Sequence, residues 1–328
     1  MNIKTRLLKL LEGSRDAYIS GGALAAKLAV SRSAVWKAIE SLRTEGYEIS
    51  AVTNKGYRLD DSGDILSAAG ISGFLKNEFT VETRKTVTST NTVLREMAAN
   101  GAPEGYVLAA EEQTAGKGRQ GRSFHSPAKH GVYFSLLMRP GLRAVDAALI
   151  TSAAAVAVSR AIEDIFGVRT GIKWVNDLFV GDKKVCGILT EAAFDMESGL
   201  VESVVLGIGI NITRPETGWG IEDVATTLTD RSHGRDGGRN RLIAASLDNF
   251  WGFYKNLSAR EFLDEYRARS IVLGQDIYVL SAGERKRPAR ALEIDDECGL
   301  VVRYEDGEVA TLGSGEVSIR PVGEYKRI

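Results

Sequence analysis

Apolar positions recur at helical spacing three times in the first 45 residues. Residues 3–12 form a charged amphipathic pattern, and Ser20 can cap a second helix over "GGALAAKL". A third helix is predicted from Arg32 to Glu45, where Gly46 ends it. Its apolar residues fall at positions i, i+3, i+4 and i+7 and form one face; they are Val35, Ala38, Ile39 and Leu42.

A short alternating segment follows these helices. "YEISAV", the turn "TNKG" and "YRL" predict a two-stranded hairpin. Three helices followed by such a hairpin are typical of a winged helix-turn-helix, and we assign residues 1–62 to this domain. The polar run "DDSGD" at 60–64 predicts a linker to the next part of the chain.

The pattern changes twice beyond the linker. Strands and helices alternate from 65 to 270, where strands are predicted at 104–111, 131–138, 171–180, 184–194 and 201–212, and helices at 91–100, 145–167 and 240–268. "RSHGRDGGRN" at 231–240 predicts a mobile loop. Short strands between glycine and acidic turns predict a small β-barrel over 271–328. The expected fold class is α+β in three domains.

Composition restricts the class of protein. The 328 residues are 44% hydrophobic and 26% charged, which is typical of globular domains. Two cysteines, Cys186 and Cys298, and three histidines form no zinc-type spacing. The beginning of the chain lacks the apolar core of a signal peptide, and the longest apolar stretch contains charges. We expect a cytoplasmic protein that makes no membrane contact.

Charge is unevenly distributed. The net charge is −1, but residues 1–59 contain ten Lys or Arg against five Asp or Glu. The polar face of the third helix and the tip of the hairpin therefore predict a DNA-binding surface. Its residues are Ser31, Arg32, Ser33, Trp36 and Lys37 on the helix, and Asn54 and Lys55 on the hairpin. The alternative is a three-helix module for protein contacts, with Trp36 half-buried.

The loop "AGKGRQGRSFHSP" at 115–127 combines glycines with cations. Gly116, Gly118 and Gly121 match G-x-G-x-x-G, but a proline- and glycine-containing loop and a strand follow instead of the helix that a dinucleotide fold requires. A P-loop is excluded because Lys117 precedes Gly instead of Ser or Thr. The remaining interpretations are a loop that folds around phosphate or carboxylate, and a solvated basic loop.

Two further segments contain candidate ligand-binding residues. "KWVNDLFVGDKKVCGIL" at 173–189 places Asn176 and Asp177 at the end of one predicted strand and Lys184 at the start of the next. A carboxylate beside cations suits Mg²⁺ held together with substrate phosphates. The segment "TSTNT", which contains residues 89–91, offers uncharged groups for a neutral polar ligand. The alternatives are an N-cap for Ser89–Asn91 and an Asx turn for 176–177.

These motifs resemble those of one family. "STN", "EEQTAGKGRQGRSFHSP", "KWVNDLFVGDKKVCGIL" and "GIGINI", in this order behind a winged helix, resemble a biotin protein ligase of the bifunctional biotin operon repressor type. The resemblance implies a central domain of the class II synthetase type and a C-terminal SH3-like barrel. It also implies a ligase that uses ATP to form biotinyl-5′-AMP and transfers biotin to a lysine of a biotin carboxyl carrier protein.

The resemblance further implies a repressor that binds operator DNA, a homodimer when bound to biotinyl-5′-AMP, and Mg²⁺ as cofactor. It assigns biotin contacts to Ser89, Thr90, Asn91, Gln113, Lys117, Gly118, Arg119, Lys184 and Gly187. It assigns ATP contacts to Arg119, Arg122, Asn176, Asp177, Asn211 and Trp219, with Asp177 also the metal ligand. Lys184 and Arg119 are the expected catalytic residues.

The chain departs from the family pattern at three positions. Lys117 replaces an arginine, Phe124 a tryptophan, and Val175 a proline. Lysine keeps the charge at 117 but loses the bidentate geometry. Two other functions stay open: a ligand-sensing transcription factor without turnover, and a lipoate-type ligase. Lys184, Arg119 and Asp177 together favour an adenylating enzyme over the sensor, because a sensor needs no adenylation chemistry. The uncharged groups of residues 89–91 and Gln113 favour biotin over lipoate, which has no ureido ring.

Overall fold

The structure of the protein is a computed structural model. It describes residues 3–14, 17–60, 64–140, 147–194, 201–215, 218–221, 223–229, 238–281, 286–313 and 317–321. No helix in these parts of the chain is both long enough and apolar enough to cross a lipid bilayer.

The N-terminal domain has the three helices and the hairpin that the pattern predicts. They are α1 (Ile3–Glu12), α2 (Gly21–Leu28), α3 (Arg32–Thr44), β1 (Ile49–Val52) and β2 (Gly56–Leu59). Ser20 and Ser31 cap α2 and α3, since their hydroxyls accept from the backbone N–H groups of Ala23 and Ala34. The predicted apolar face of α3 is buried in the core of this domain.

The hairpin is anchored to the helices at one point. The N–H of Ile19 donates to Tyr57 O and the N–H of Tyr57 donates to Ile19 O, at 2.8 and 2.9 Å. Gly56 has a φ of 108°, and a side chain there would overlap the carbonyl of Ile19. Glycine at 56 therefore lets the hairpin approach the segment before α2.

The central domain is a mixed seven-stranded sheet with helices on both faces. Its elements are α4 (Ala68–Phe74), β3 (Thr80–Val87), α5 (Thr90–Ala99), β4 (Tyr106–Gln113), β5 (Gly131–Met138), α6 (Ala147–Phe166), β6 (Gly171–Lys173), β7 (Asp177–Val180), β8 (Lys183–Phe194), β9 (Val201–Asn211), α7 (Gly238–Lys255) and α8 (Leu263–Ala268). The strand order is β3-β4-β5-β9-β8-β7-β6, and β3 and β4 are parallel. The helices α6 and α7 cover one face and α5 covers the other.

Two predictions in this domain are wrong in detail. The single strand predicted at 171–180 is the hairpin of β6 and β7, so Asn176 lies in the turn and Asp177 begins a strand. The turn is buried, so its residues Trp174 and Val175 are apolar like those of the strands on either side. The apolar pattern therefore continues through the turn and resembles a single strand. The hydroxyl of Tyr266 donates to Val175 O at 3.0 Å, so a tertiary contact satisfies the backbone there.

The helix predicted at 240–268 is also divided. After α7 the chain forms a 3₁₀ turn over Leu257–Ala259, and α8 follows; Arg260 between them has a φ of 55°. Most of the loop predicted at 231–240 lies outside the described residues, and its last three residues begin α7. The helix α4 was not predicted.

The C-terminal domain is a five-stranded antiparallel sheet. Its strands are β10 (Asp276–Ser281), β11 (Arg287–Ile294), β12 (Leu300–Tyr304), β13 (Val309–Leu312) and β14 (Val317–Pro321), in the order β13-β12-β11-β10-β14. A closed barrel is not confirmed, because the described residues form no ladder between β13 and β14. Trp174 Nε1 donates to Cys298 O at 2.9 Å and joins this domain to the β6–β7 turn.

Buried polar contacts join the N-terminal and central domains. The hydroxyls of Tyr47 and Ser67 are 2.6 Å apart, and the N–H of Ser67 donates to Asn240 Oδ1. The side chain of Arg239 is only 4% exposed and lies 3.1 Å from Asp64 and 2.7 Å from Glu111. Arg239 therefore joins the end of the predicted linker to strand β4 of the central sheet.

Candidate functional site

A cavity opens above β8 and β9, between the N-terminus of α5 and the glycine-rich loop. All nine predicted biotin contacts line it, together with Asn176. These residues come from four separate segments of the chain, and the folded sheet brings them together. The lining also includes Phe124, Ile188, Leu189, Gly207, Ile208 and Gly209, which the sequence analysis did not assign as contacts.

The N-terminus of α5 is capped from outside the helix. Ser89 occupies the N-cap position, but its side chain makes no capping hydrogen bond. Instead Gln113 Oε1, at the end of β4, accepts from the N–H of Thr90 at 2.8 Å. The interpretation of Ser89 as a plain N-cap is therefore wrong, and Gln113 orients the first turn of α5 against the cavity.

The glycine-rich loop is folded as a hairpin across the cavity. The N–H of Gly118 donates to Arg122 O at 2.7 Å, and the N–H of Phe124 donates to Gly116 O at 2.9 Å. A side chain at Gly116 would overlap Phe124 O. Lys117 lines the cavity, whereas Arg122 is exposed and does not.

Two cations are held beside one carboxylate at this site. Lys184 Nζ lies 2.7 Å from Asp177 Oδ1. Arg119 Nη1 donates to Asn176 Oδ1 at 3.2 Å, and Asn176 Nδ2 donates to Ile188 O at 2.7 Å. The pairing of β7 with β8 thus places Asn176 and Asp177 next to Gly187 and Ile188 of β8. This arrangement can neutralise two anionic groups brought together in the cavity.

Burial affects the acid–base properties of the site. It lowers the pKa of Arg119, while Asp177 opposes that change and Arg122 adds to it. The guanidinium nevertheless stays cationic at neutral pH, because its ordinary pKa is so high. Burial raises the pKa of the Cys186 thiol on β8 far above its ordinary value, so this thiol stays protonated and unreactive.

The remaining predicted ATP contacts lie outside the cavity lining. Asn211 ends β9, and its Nδ2 donates to Thr226 O at 3.3 Å. The segment that contains Thr226 pairs with β8, because Lys184 N donates to Val224 O and Thr226 N donates to Lys184 O. Trp219 is half-buried in the loop between them. Asn211 and Lys184 are therefore linked through the same segment.

The glycines of β8 and β9 create the cavity floor. Gly187 and Gly209 are directly paired, and a side chain at Gly209 would come within 2.5 Å of the Phe124 ring. A side chain at Gly187 would come within 2.8 Å of Lys184 Nζ. Alternating glycines in "GIGINI" were a visible signal for this floor, since glycine in a strand often marks close approach by another group.

The described residues contain no cluster of three His, Cys, Asp or Glu side chains that could hold a metal ion by itself. Asp177 is a single carboxylate at the edge of the cavity. Mg²⁺ is commonly bound by one or two carboxylates and completed by substrate phosphates. The site therefore fits Mg²⁺ only when a phosphate-bearing ligand supplies further oxygens.

The predicted DNA-binding residues form a second, separate surface. All seven are exposed, and Trp36 is 54% exposed. Arg32 and Asn54 line one groove between the start of α2 and the hairpin. Asn54 has a φ of 65° at the hairpin turn. The helix and the hairpin thus present polar and cationic groups on the same side of the domain.

Comparisons with known proteins find relatives of both the N-terminal and the central part of the chain. A family model described as "Biotin/lipoate A/B protein ligase family" matches residues 83–211, and one described as "HTH domain" matches residues 4–58. The "Bifunctional ligase/repressor BirA" of Bacillus subtilis is 36% identical over 93% of this chain and 95% of its own. The protein of that description from Escherichia coli is 28% identical over 94% of this chain and 97% of its own length. Among solved structures, this chain is similar to the biotin protein ligase from Aquifex aeolicus in complex with biotin and ATP. The two share 29% identity and superpose with a TM-score of 0.60, over 74% of this chain and 99% of the Aquifex aeolicus chain.

Proposed function

The chain belongs to the family of bifunctional biotin ligase/repressors, and we propose that it joins biotin to a carrier protein and represses transcription. Biotin and ATP are its substrates, and a lysine of a biotin carboxyl carrier protein is the acceptor. The observation that carries this proposal is the convergence of all nine predicted biotin contacts, including Lys184 and Arg119, on one cavity. The carboxylate of Asp177 forms an ion pair with Lys184 there.

The first step joins two anions. A carboxylate oxygen of biotin attacks the α-phosphorus of ATP, and the bond from that phosphorus to the bridging oxygen of pyrophosphate breaks. Lys184 contacts the biotin carboxylate, and Arg119 contacts the carboxylate and the α-phosphate. Their charges offset the repulsion between the reactants and stabilise the negative charge of the transition state.

The second step transfers biotin from biotinyl-5′-AMP. The amine of the acceptor lysine attacks the acyl carbon, an amide bond forms, and AMP leaves with the electron pair of the broken C–O bond. The loop around Gly118 lies over the cavity and excludes water from the acyl phosphate, which keeps hydrolysis slow. The C-terminal sheet is the family's SH3-like domain in this proposal.

The nucleotide lies next to biotin, toward the segment that pairs with β8. Arg122, Asn176, Asp177, Asn211 and Trp219 contact it in this proposal. The ion pair between Asp177 and Lys184 supports this arrangement, because it puts the carboxylate at the edge of the cavity. When ATP is bound, Asp177 and the phosphates would hold Mg²⁺, which neutralises phosphate charge.

The winged helix binds operator DNA through the seven exposed residues of α3 and the hairpin. One such domain offers few base contacts, so tight binding requires two domains on a palindromic site. The chain therefore acts in the cytoplasm as a homodimer when it holds biotinyl-5′-AMP. Scarce carrier protein leaves the adenylate in place and favours repression, whereas plentiful carrier protein consumes it.

A pyrophosphate-release assay with ATP and either biotin or lipoate tests the ligase. Pyrophosphate release is expected with ATP and biotin but not with ATP and lipoate. Release with lipoate but not with biotin would contradict biotin as the substrate. Release with neither acid would favour the alternative of a ligand-sensing transcription factor without turnover. Sedimentation and operator titration with and without biotinyl-5′-AMP test the repressor. Equal dimerisation and equal operator affinity in both states would contradict regulation by the adenylate.

A further inference from the structure

The β6–β7 turn that carries Asn176 is held by two contacts with parts of the chain outside the hairpin. The hydroxyl of Tyr266, on α8, donates to Val175 O at 3.0 Å, and Trp174 Nε1 donates to Cys298 O at 2.9 Å. The four residues that make these contacts are between 0% and 3% exposed. A polar group that lost its partner there would therefore stay buried and unpaired.

The Tyr266 hydroxyl acts on this turn as a donor. A backbone carbonyl oxygen can only accept, so the single hydrogen of the hydroxyl is directed at Val175 O. Burial raises the pKa of Tyr266 far above its ordinary value, so the phenol keeps this hydrogen at neutral pH. The contact is therefore a lasting restraint on the direction of the Val175 carbonyl.

This carbonyl restrains the backbone of Asn176. It belongs to the planar peptide unit that joins Val175 to Asn176, so its direction sets the entry of the chain into Asn176. On the other side, Ile188 N donates to Asn176 O at 2.9 Å, and Asn176 Nδ2 donates to Ile188 O at 2.7 Å. Asn176 is therefore held from α8 on one side and from β8 on the other.

The two restraints direct the amide oxygen of Asn176 to Arg119. Because Asn176 Nδ2 donates to Ile188 O, its Oδ1 is free to accept from Arg119 Nη1, which lies 3.2 Å away. Asn176 and Arg119 both line the ligand cavity. A turn in another orientation would move the acceptor that helps to direct this guanidinium.

We infer that Tyr266, supported by Trp174 on the same turn, is a positioning residue for adenylation. It acts through the Val175 carbonyl and Asn176 to keep Arg119 directed at the reacting carboxylate and α-phosphate. The N-terminus of α5 is held separately by Gln113, so the biotin contacts there do not depend on this turn. This inference rests on the proposed function, because it takes adenylation as the reaction.

Tyr266→Phe tests the inference, because it removes one hydroxyl and keeps the ring that fills the core. Initial rates of pyrophosphate release are measured against ATP and against biotin. In the variant kcat should fall about tenfold and the KM for ATP should rise about threefold or more, whereas the KM for biotin should stay within about twofold. A role in packing alone would lower thermal stability and leave these three constants of the folded protein unchanged.

Tyr47→Phe is the matched control. The Tyr47 hydroxyl is also buried and lies 2.6 Å from Ser67 Oγ, but at the contact between the N-terminal and central domains and outside the cavity lining. This variant should lose stability and keep the wild-type kinetic constants. Wild-type values of kcat and of the KM for ATP in folded Tyr266→Phe would overturn the inference. So would an equal rise of both KM values, which would indicate a general loosening of the domain.

A double-mutant cycle with Asn176→Ala tests the route of the effect. If Tyr266 acts through Asn176, adding Tyr266→Phe to Asn176→Ala should lower kcat by less than about threefold further. A further decrease of about tenfold would show that the two residues act independently and would overturn the inference. Thermal unfolding monitored by circular dichroism establishes which variants are folded.

Trp174→Phe removes the other donor that holds the turn and should give the same selective effect on kcat and on the KM for ATP. If Tyr266→Phe does not fold, Trp174→Phe decides the question by the same criterion. No pyrophosphate release by the wild-type protein with ATP and biotin would contradict the proposed function, which separates that failure from failure of the inference.

Discussion

The ligand cavity and the DNA-binding surface are assembled in different ways. The cavity collects mostly buried or half-buried residues from distant segments, such as Asn91 on α5 and Gly207 on β9. The DNA-binding surface consists of exposed residues from one helix and the adjoining hairpin. Desolvated groups interact strongly with a ligand, whereas exposed cations act through many weak, salt-dependent contacts. We therefore expect large effects of single substitutions in the cavity and smaller effects on the DNA-binding surface.

Lys184→Ala should have the largest effect. Removing the cation that contacts the carboxylate should lower the rate of adenylation by about 10²–10³-fold, equivalent to roughly 3–4 kcal/mol of transition-state stabilisation. Single-turnover pyrophosphate release measures this rate. Lys183→Ala changes the neighbouring lysine on β8 and should stay within a few-fold of the wild-type rate. A similar rate for both variants would mean that Lys184 is an ordinary surface lysine.

Arg239→Met tests the junction between the two regions. The substitution leaves the carboxylates of Asp64 and Glu111 without the cation that they share. It should lower the free energy of unfolding by about 2–3 kcal/mol. This loss is smaller than that for breaking a fully buried ion pair, because both carboxylates are partly exposed. Urea unfolding at pH 7 measures the loss. If the free energies of unfolding of the variant and the wild-type protein differ by less than about 0.5 kcal/mol, this contact has no structural role.

The loss in Arg239→Met should also depend on pH. Burial raises the pKa of Asp64 above its ordinary value even with Arg239 present, which opposes the increase. A carboxyl group with a raised folded-state pKa favours folding below that pKa and loses this contribution as the pH rises through it. Without Arg239 the pKa should rise further, so the difference from wild type should shrink as the pH falls from 7 toward 4. A constant difference would exclude Asp64 as its source.

Trp36→Ala should affect DNA binding alone. The exposed indole contributes little to the core, so unfolding and adenylation should stay unchanged, while operator affinity should fall about tenfold, or roughly 1–2 kcal/mol. A titration of operator DNA in the presence of biotinyl-5′-AMP measures the affinity. Unchanged affinity would favour the alternative of a module for protein contacts.

Arg32→Ala combined with Lys37→Ala should have the smallest effect of these variants at high salt, where screening has already weakened phosphate contacts. Each residue that contacts a phosphate contributes about 0.9 to the slope of log affinity against log salt, so the double variant should flatten this slope by about two. Titrations over a range of salt concentrations give the slope. An unchanged slope would place both side chains away from the DNA backbone.

The sequence by itself determined the features that depend on local spacing. The apolar face of α3, the cap Ser20 and the hairpin follow from neighbours within a few positions, and all are present in the structure. The motif residues of the cavity were also predictable, because glycines, cations and amides cluster at short spacing in each segment. These properties are local because backbone hydrogen bonding and amphipathicity are periodic along the chain.

Tertiary structure alone decided how these segments meet. The β6–β7 turn is apolar in sequence and resembles a strand, and only its contacts with Tyr266 and Cys298 reveal a buried turn. Glu191 lies 100 positions from Asn91, so no spacing could indicate that its carboxylate accepts a hydrogen bond from that amide. The direction of a buried hydrogen bond depends on which acceptor faces which donor in three dimensions, and one-dimensional periodicity contains no information about that pairing.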